Sequence, residues 1–326
     1  MEASILKHNL SNLNTMKTKI NVPLTAVLLL SALGLPLSAF GQGSLTPPGA
    51  PAMTMKSLDQ IEARTIVNAV NTPGDANNLF IISQPGSYYL TTNLVGVTAK
   101  NGVEITASNV TLDLNGFAVL GVVGSKAGIY VANVSSSVAV RNGSVSGWGN
   151  YGVLGGSYGV AFQNLLFERL LVSGNTNGGI LSANCTIQNC QSSGNAGSGI
   201  EVMPGIVSGC LVQNNTSYGI EVNASGSQIL GNTCIGNNPG GTSAGSGIFV
   251  FANNTRVDGN YLTGNGYAGI VCQYFNYSNN IIIRNIAVGN SPNNYLGSSS
   301  QIIGPYINTT ASSTVTNSNP WANFSF

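Results

Sequence analysis

Histidine is all but missing from this chain, and charge is scarce. Of 326 residues one is His, 11 are Lys or Arg and 10 are Asp or Glu, a charged fraction of 6%. A net charge of +1 leaves no basic stripe for nucleic acid and no polybasic patch for an anionic membrane. The single histidine, His8, lies upstream of a secretory leader pattern: Met16-Lys17-Thr18-Lys19, an apolar run from Val22 to Leu37, and Ala39-Phe40-Gly41. That run is interrupted by Pro23 and Pro36 and falls short of the roughly 20 residues that a membrane span needs. Residues 1–41 are therefore read as an upstream extension and signal peptide with cleavage before Gln42. No membrane span is expected, and the protein is expected to be secreted, periplasmic or at the cell surface. Without Lys7, Lys17, Lys19 and Glu2, the remainder has 8 basic and 9 acidic groups and no histidine. This excludes Ser-His-Asp and Cys-His catalysis and removes the commonest transition-metal ligand.

Cysteine is sparse as well. Cys185, Cys190, Cys210, Cys234 and Cys272 are odd in number and lack the C-x-x-C spacing of a zinc site, so all five are read as small buried hydrophobes and no metal is assigned. Glycine and asparagine are abundant, at 42 each, and with 43% hydrophobic residues the chain can still bury a core.

Those glycines recur. A Gly-Ile or Gly-Val anchor stands at Gly102, Gly128, Gly152, Gly179, Gly199, Gly219, Gly247 and Gly269, which is 167 residues over seven intervals, or about 24 per repeat. Between anchors a second register steps five residues from Asn to Asn, as in Asn232 to Asn237, Asn260 to Asn265 and Asn285 to Asn290. Extended upstream, the first Asn column reads Asn115, Asn142, Leu170, Cys190 and Cys210, and the second reads Asn175, Asn195 and Asn215. Each repeat holds short alternating stretches, such as Ile220-Glu221-Val222, that are too brief for helices and are read as strands. Asn and Gly at the bends tolerate left-handed backbone, and stacked Asn side chains about 4.8 Å apart can hydrogen-bond along a column. No coil can bury its apolar face alone, so the repeats must stack as a solenoid.

With these repeats the chain resembles the right-handed parallel β-helix proteins of the pectin-lyase-like superfamily. Gln84 to Leu90 and Asn109 to Gly116 are similar to the opening strands of secreted bacterial members without an assigned activity. The resemblance implies an all-β, right-handed parallel β-helix. The organisation expected is an N-terminal cap and first strands at 42–100, coils at 101–300, and a C-terminal strand and capping tail at 301–326. The capping-box spacing of Ser57-Leu58-Asp59-Gln60 predicts a short capping helix. Polygalacturonase-like catalysis is excluded, because the Gly-His-Gly is absent and Arg284 is followed by Asn285. The Asp cluster of pectate-lyase-like members is absent too, since Asp59, Asp75, Asp113 and Asp258 fall in different parts of the repeat or outside it.

One constellation remains. The residue after each anchor pair points outward, and that column reads Glu104, Tyr130, Leu154, Leu181, Glu201, Glu221, Phe249 and Val271. Glu201 and Glu221 should be neighbours on consecutive coils, about 4.8 Å apart at the backbone. Such a pair would share a proton or take a hard cation such as Ca²⁺, the one cofactor considered, with Asn223 as a candidate third ligand. Carboxylates about 5 Å apart can also cleave glycosides with retention, so Glu201 and Glu221 are the candidate catalytic residues. The alternative is two solvated acids splayed apart. Trp148, Tyr151 and Phe249 are the candidate sugar-contacting rings, with Tyr158, Tyr218, Tyr267, Tyr274 and Tyr277 as weaker ones. Arg141, Arg169 and Arg284 are expected to share one column. The function expected is binding of polysaccharide or another cell-envelope glycan, or an envelope scaffold; the alternative is a polysaccharide lyase or glycoside hydrolase using the Glu pair.

Overall fold

The computed structural model describes residues 62–132, 135–156, 164–240, 245–272, 277–308 and 318–326. The expected leader and capping helix lie outside these residues. All regular elements among the described residues are strands, and no helix there is long and apolar enough to cross a membrane. Among the described residues every pairing between named strands is parallel, and one isolated antiparallel bridge joins Pro73 to Phe80. Ten strands, one per coil from Asn78–Ile82 to Asn293–Gly297, stack into one sheet, and twenty more form a second sheet. The fold is the right-handed parallel β-helix that the repeats imply.

The second sheet bends at a corner built on left-handed backbone. Asn142, Arg169, Asn189 and Arg284 there have φ of 59°, 51°, 54° and 58°, and Gly209, Gly231 and Gly259 occupy the same step in other coils. Positive φ costs an L-residue energy, which favours Gly and Asn at such corners. The corner corrects two expectations. Asn115 and Asn142 are turn residues rather than members of the Asn column, whose place in the coil of Asn142 falls one residue later, at Gly143. Arg169 and Arg284 are corner residues, whereas Arg141 stands one step earlier, opposite Glu168 and Asp113.

Inside, Ile129, Val153, Ile180, Ile200, Ile220, Ile248 and Ile270 form one column at 0–1% exposure. Two buried asparagine ladders run beside it. In one, Asn175, Asn195, Asn215, Asn237, Asn265 and Asn290 each direct an amide Nδ2 to the Oδ1 of the next asparagine, ending on Asn294, at 2.7–3.0 Å. The other runs from Asn232 through Asn260 and Asn285 to Asn323, so strand Asn323–Ser325 supplies its last rung. Upstream of Asn232, Leu170, Cys190 and Cys210 fill the same column as buried side chains without ladder amides. The anchors are glycine for a packing reason. A Cβ at Gly199 or Gly219 would lie 2.6 or 2.8 Å from the Nδ2 of Asn215 or Asn237.

Candidate functional site

The outward column forms in the predicted register. Glu104, Tyr130, Leu154, Leu181, Glu201, Glu221, Phe249 and Val271 pair one to the next across the ten-stranded sheet. Strand alternation fixes this, because Ile200 and Val202 turn inward and Glu201 between them must turn outward.

Glu201 and Glu221 are held in a hydrogen-bonded network. Asn223, just beyond strand Ile220–Val222, donates from Nδ2 to Glu201 Oε1 at 2.8 Å and to Glu221 Oε1 at 3.2 Å. Ser198 Oγ donates to Glu221 Oε2 at 2.6 Å. Tyr151, two coils upstream, donates its phenol to Glu201 Oε2 at 2.9 Å. Gly178 permits that reach, because a Cβ there would come within 2.5 Å of the tyrosine ring. Each of the four carboxylate oxygens thus accepts one protein hydrogen bond and keeps capacity for a second.

Burial, and then the charge of Glu201, push the Glu221 carboxyl above the usual range against the donors Ser198 and Asn223. Burial and the same glutamate's charge hold the Tyr151 phenol strongly protonated, which keeps it a donor. A calcium ion would meet amide and hydroxyl hydrogens here. Ca²⁺ takes six to eight oxygens, and no group of three or more His, Cys, Asp or Glu lies together among the described residues. The donor set fits hydrogen-bonded ligands rather than a hard cation.

Two of the three predicted sugar-contacting rings are buried. Trp148 is 0% exposed, with its indole N–H on the Val119 carbonyl at 3.0 Å and its ring in space left by Gly96, Gly102 and Gly128, so it has no face to offer a sugar. Phe249 is 1% exposed and packs against Tyr218 at 4.5 Å and Phe251 at 3.9 Å between ring centroids. It forms an apolar flank to the Glu pair instead of a stacking platform. Tyr151 does reach the site, but through its hydroxyl. Tyr218 and Tyr267 pack on the Phe249 cluster, while Tyr158 and Tyr274 lie outside the described residues. Sequence reasoning missed Ser198, whose signal was its place two residues before an anchor isoleucine.

The family whose model matches has the same fold. Residues 95–247 match the family model described as a right handed beta helix region. The match spans a little under half of the chain and agrees with the right-handed parallel β-helix fold that the structure has. No curated protein matches it in sequence. Among solved structures it is similar to the A-module of the mannuronan C-5 epimerase AlgE4 of Azotobacter vinelandii, at 13% identity and a TM-score of 0.46 over 71% of this chain and 76% of that one. It is also similar to the AlgE6 A-module of the same organism, at 14% identity and a TM-score of 0.42 over 73% and 86%. A third is a tailspike protein of Acinetobacter baumannii bacteriophage Fri1, a capsular polysaccharide depolymerase, at 13% identity and a TM-score of 0.31 over 70% and 52%. At these identities none of them says what this chain binds.

Proposed function

We propose that this protein acts outside the cytoplasm as a glycan-binding β-helix, and that the outward face of the ten-stranded sheet at Glu201 and Glu221 receives sugar hydroxyls. The observation that carries the reading is the network itself. Four carboxylate oxygens are fixed by Tyr151, Ser198 and Asn223, and each retains a free acceptor direction. Fixed carboxylates beside apolar Leu181 and Phe249 suit vicinal hydroxyls on an otherwise apolar sugar ring. Residues 16–41 support export through their leader pattern.

A second reading, glycoside cleavage, is favoured by one observation: the carboxyl of Glu221 is raised beside Glu201, as a general acid requires. Against it, the hydrogen bonds from Tyr151 and Asn223 stabilise the Glu201 carboxylate and so weaken it as the group that would have to attack. A panel of neutral and acidic polysaccharides distinguishes the two. Retention that is lost in Glu201→Ala and Glu221→Ala, without new reducing or unsaturated ends, supports binding. Cleavage of any glycan supports the enzyme, and retention unaltered in both variants removes the Glu pair from either role.

A further inference from the structure

The other sheet carries a charged feature that the Glu pair does not involve. Asp258, in strand Arg256–Asp258, is 4% exposed and accepts hydrogen bonds from two guanidinium groups. Arg256 donates from Nε at 3.0 Å and Nη2 at 2.5 Å, and Arg284 donates from Nε at 2.7 Å and through a close Nη2 contact. The carboxylate is buried, but the arginine side chains are 45% and 48% exposed. Burial alone would raise the Asp258 carboxyl; the hydrogen bonds of Arg284 and Arg256 outweigh it and hold it below the usual range. Each guanidinium spends one edge on Asp258 and keeps about three of its five N–H groups for a ligand. The cluster has one net positive charge, and its geometry is set before any ligand arrives.

The ground beside it is clear. Gly231 and Gly259 stand in the same corner column as Arg284, with φ of 60° and 68°, and a Cβ on either would meet nothing within 4 Å. Leu230 and these glycines floor an open depression of about 540 Å³ bounded by Arg256, Asp258 and Arg284. The indole of Trp321, 51% exposed, has its ring centre 5.7 Å from the guanidinium carbon of Arg284.

We propose that this depression binds the carboxylate of a hexuronate unit in an acidic glycan, with Arg256 and Arg284 clamping the carboxylate and Trp321 lying against the sugar ring. A planar carboxylate matches the arginine fork, as Arg284 already illustrates by giving one N–H to each oxygen of Asp258. One ligand charge neutralises one net charge, whereas a phosphate dianion would leave an excess facing Asp258. The indole adds the flat apolar surface that the C–H face of a pyranose needs and a free inorganic anion does not use.

Calorimetric titration of the full chain with glucuronate, galacturonate and mannuronate trisaccharides, their methyl esters and inorganic sulfate tests this. At least one uronate trimer should bind at least tenfold more tightly than its ester and than sulfate. Arg256→Gln, which leaves Arg284 on Asp258, should weaken that binding about tenfold. Trp321→Ala should weaken it severalfold, and because the indole is exposed this variant serves if the arginine variant fails to fold. Arg169→Gln, which removes an exposed arginine at the same corner in another coil, should change nothing, which shows that the Arg256–Arg284 clamp rather than the overall charge sets the affinity. Binding of no trimer, ester binding equal to acid binding, sulfate binding equal to the trimer, or affinity unchanged in Arg256→Gln and Trp321→Ala would each overturn the proposal.

Discussion

Replacing Asn215 by Ala should be among the most damaging single changes outside the apolar core. Asn215 is fully buried, and its Oδ1 accepts from the backbone N–H of Asn195 at 3.1 Å and from Asn195 Nδ2 at 2.9 Å. Its own Nδ2 donates to the Ser192 carbonyl at 3.1 Å and to Asn237 Oδ1 at 3.0 Å. Truncation leaves the backbone N–H and one Nδ2 proton of Asn195 without a partner in a dry interior, the other Nδ2 proton staying on Ser192 Oγ at 3.1 Å, at about 1–3 kcal/mol for each lost bond. Asn237 Oδ1 is less affected, because it still accepts the backbone N–H of residue 215. The expected loss is therefore about 2–6 kcal/mol. Asn177→Ala is the control: its Nδ2 also bonds an asparagine of the neighbouring coil, Asn150 Oδ1 at 3.1 Å, but at an exposed position where water replaces the bond. It should change stability by no more than about 0.5 kcal/mol. Urea unfolding followed by circular dichroism reads both variants as midpoint shifts at constant slope. Equal midpoints for the two variants would refute the idea that the buried ladder, rather than asparagine at bends in general, holds the coils in register.

Ile220→Ala in the inner column should cost about 2–5 kcal/mol through the cavity it leaves, by the same unfolding assay; a loss below about 1 kcal/mol would mean that the interior collapses around it. Thiol titration of the unfolded, unreduced protein should find five free cysteines, and three would reveal a bridged pair. In the native state Cys185 and Cys272 should label slowly, since burial pushes both thiols up to about 12. Asp258, held below its ordinary value by two arginines, contributes stability that is present above about pH 3.9 and lost as pH falls through the folded value. Asp258→Asn should flatten the acid limb of the stability profile, and an unchanged limb would mean that the arginines gain nothing from the carboxylate's charge.

The repeat made the fold and the outward column legible. Alternation within three-residue strands such as Ile200–Val202 fixes which side chains face out, and the anchor spacing fixes which of them stack. Residues whose role depends on what lies across the coil were harder to assign. Trp148 sits at a bend between glycines and reads as a sugar-contacting ring; only Gly96, Gly102 and Gly128 together signal that an indole occupies their missing side chains. Asn115 and Asn142 each precede a glycine, which marks a left-handed corner more strongly than a ladder rung. Asn323 lies 38 residues after its partner Asn285, well beyond the repeat length, so periodicity could not find it. Tyr151 reaches Glu201 across 50 residues, about two coils, a distance that nearest-neighbour reasoning does not cover. The Asp258 cluster escaped because Arg256 and Arg284 occupy different columns and meet only through the carboxylate between them.

If Glu201 and Glu221 act as one network at which a glycan docks, the ionisation of one must respond to the other and to the glycan. Carbon-detected NMR titration of the Glu221 carboxyl tests it most directly, in the wild type, in Glu201→Gln, and in the wild type with a glycan retained by the protein. The wild-type midpoint should lie above the ordinary glutamate value of about 4.3, because burial and then the charge of Glu201 oppose ionisation. Stability contributed by the protonated group is then full below that value and lost as pH rises through the folded midpoint. Removing the Glu201 charge should lower the midpoint, and sugar hydroxyls donating to the carboxylate should lower it as well. An ordinary midpoint, unmoved by Glu201→Gln and by the glycan, would contradict the account and reduce the pair to surface charge.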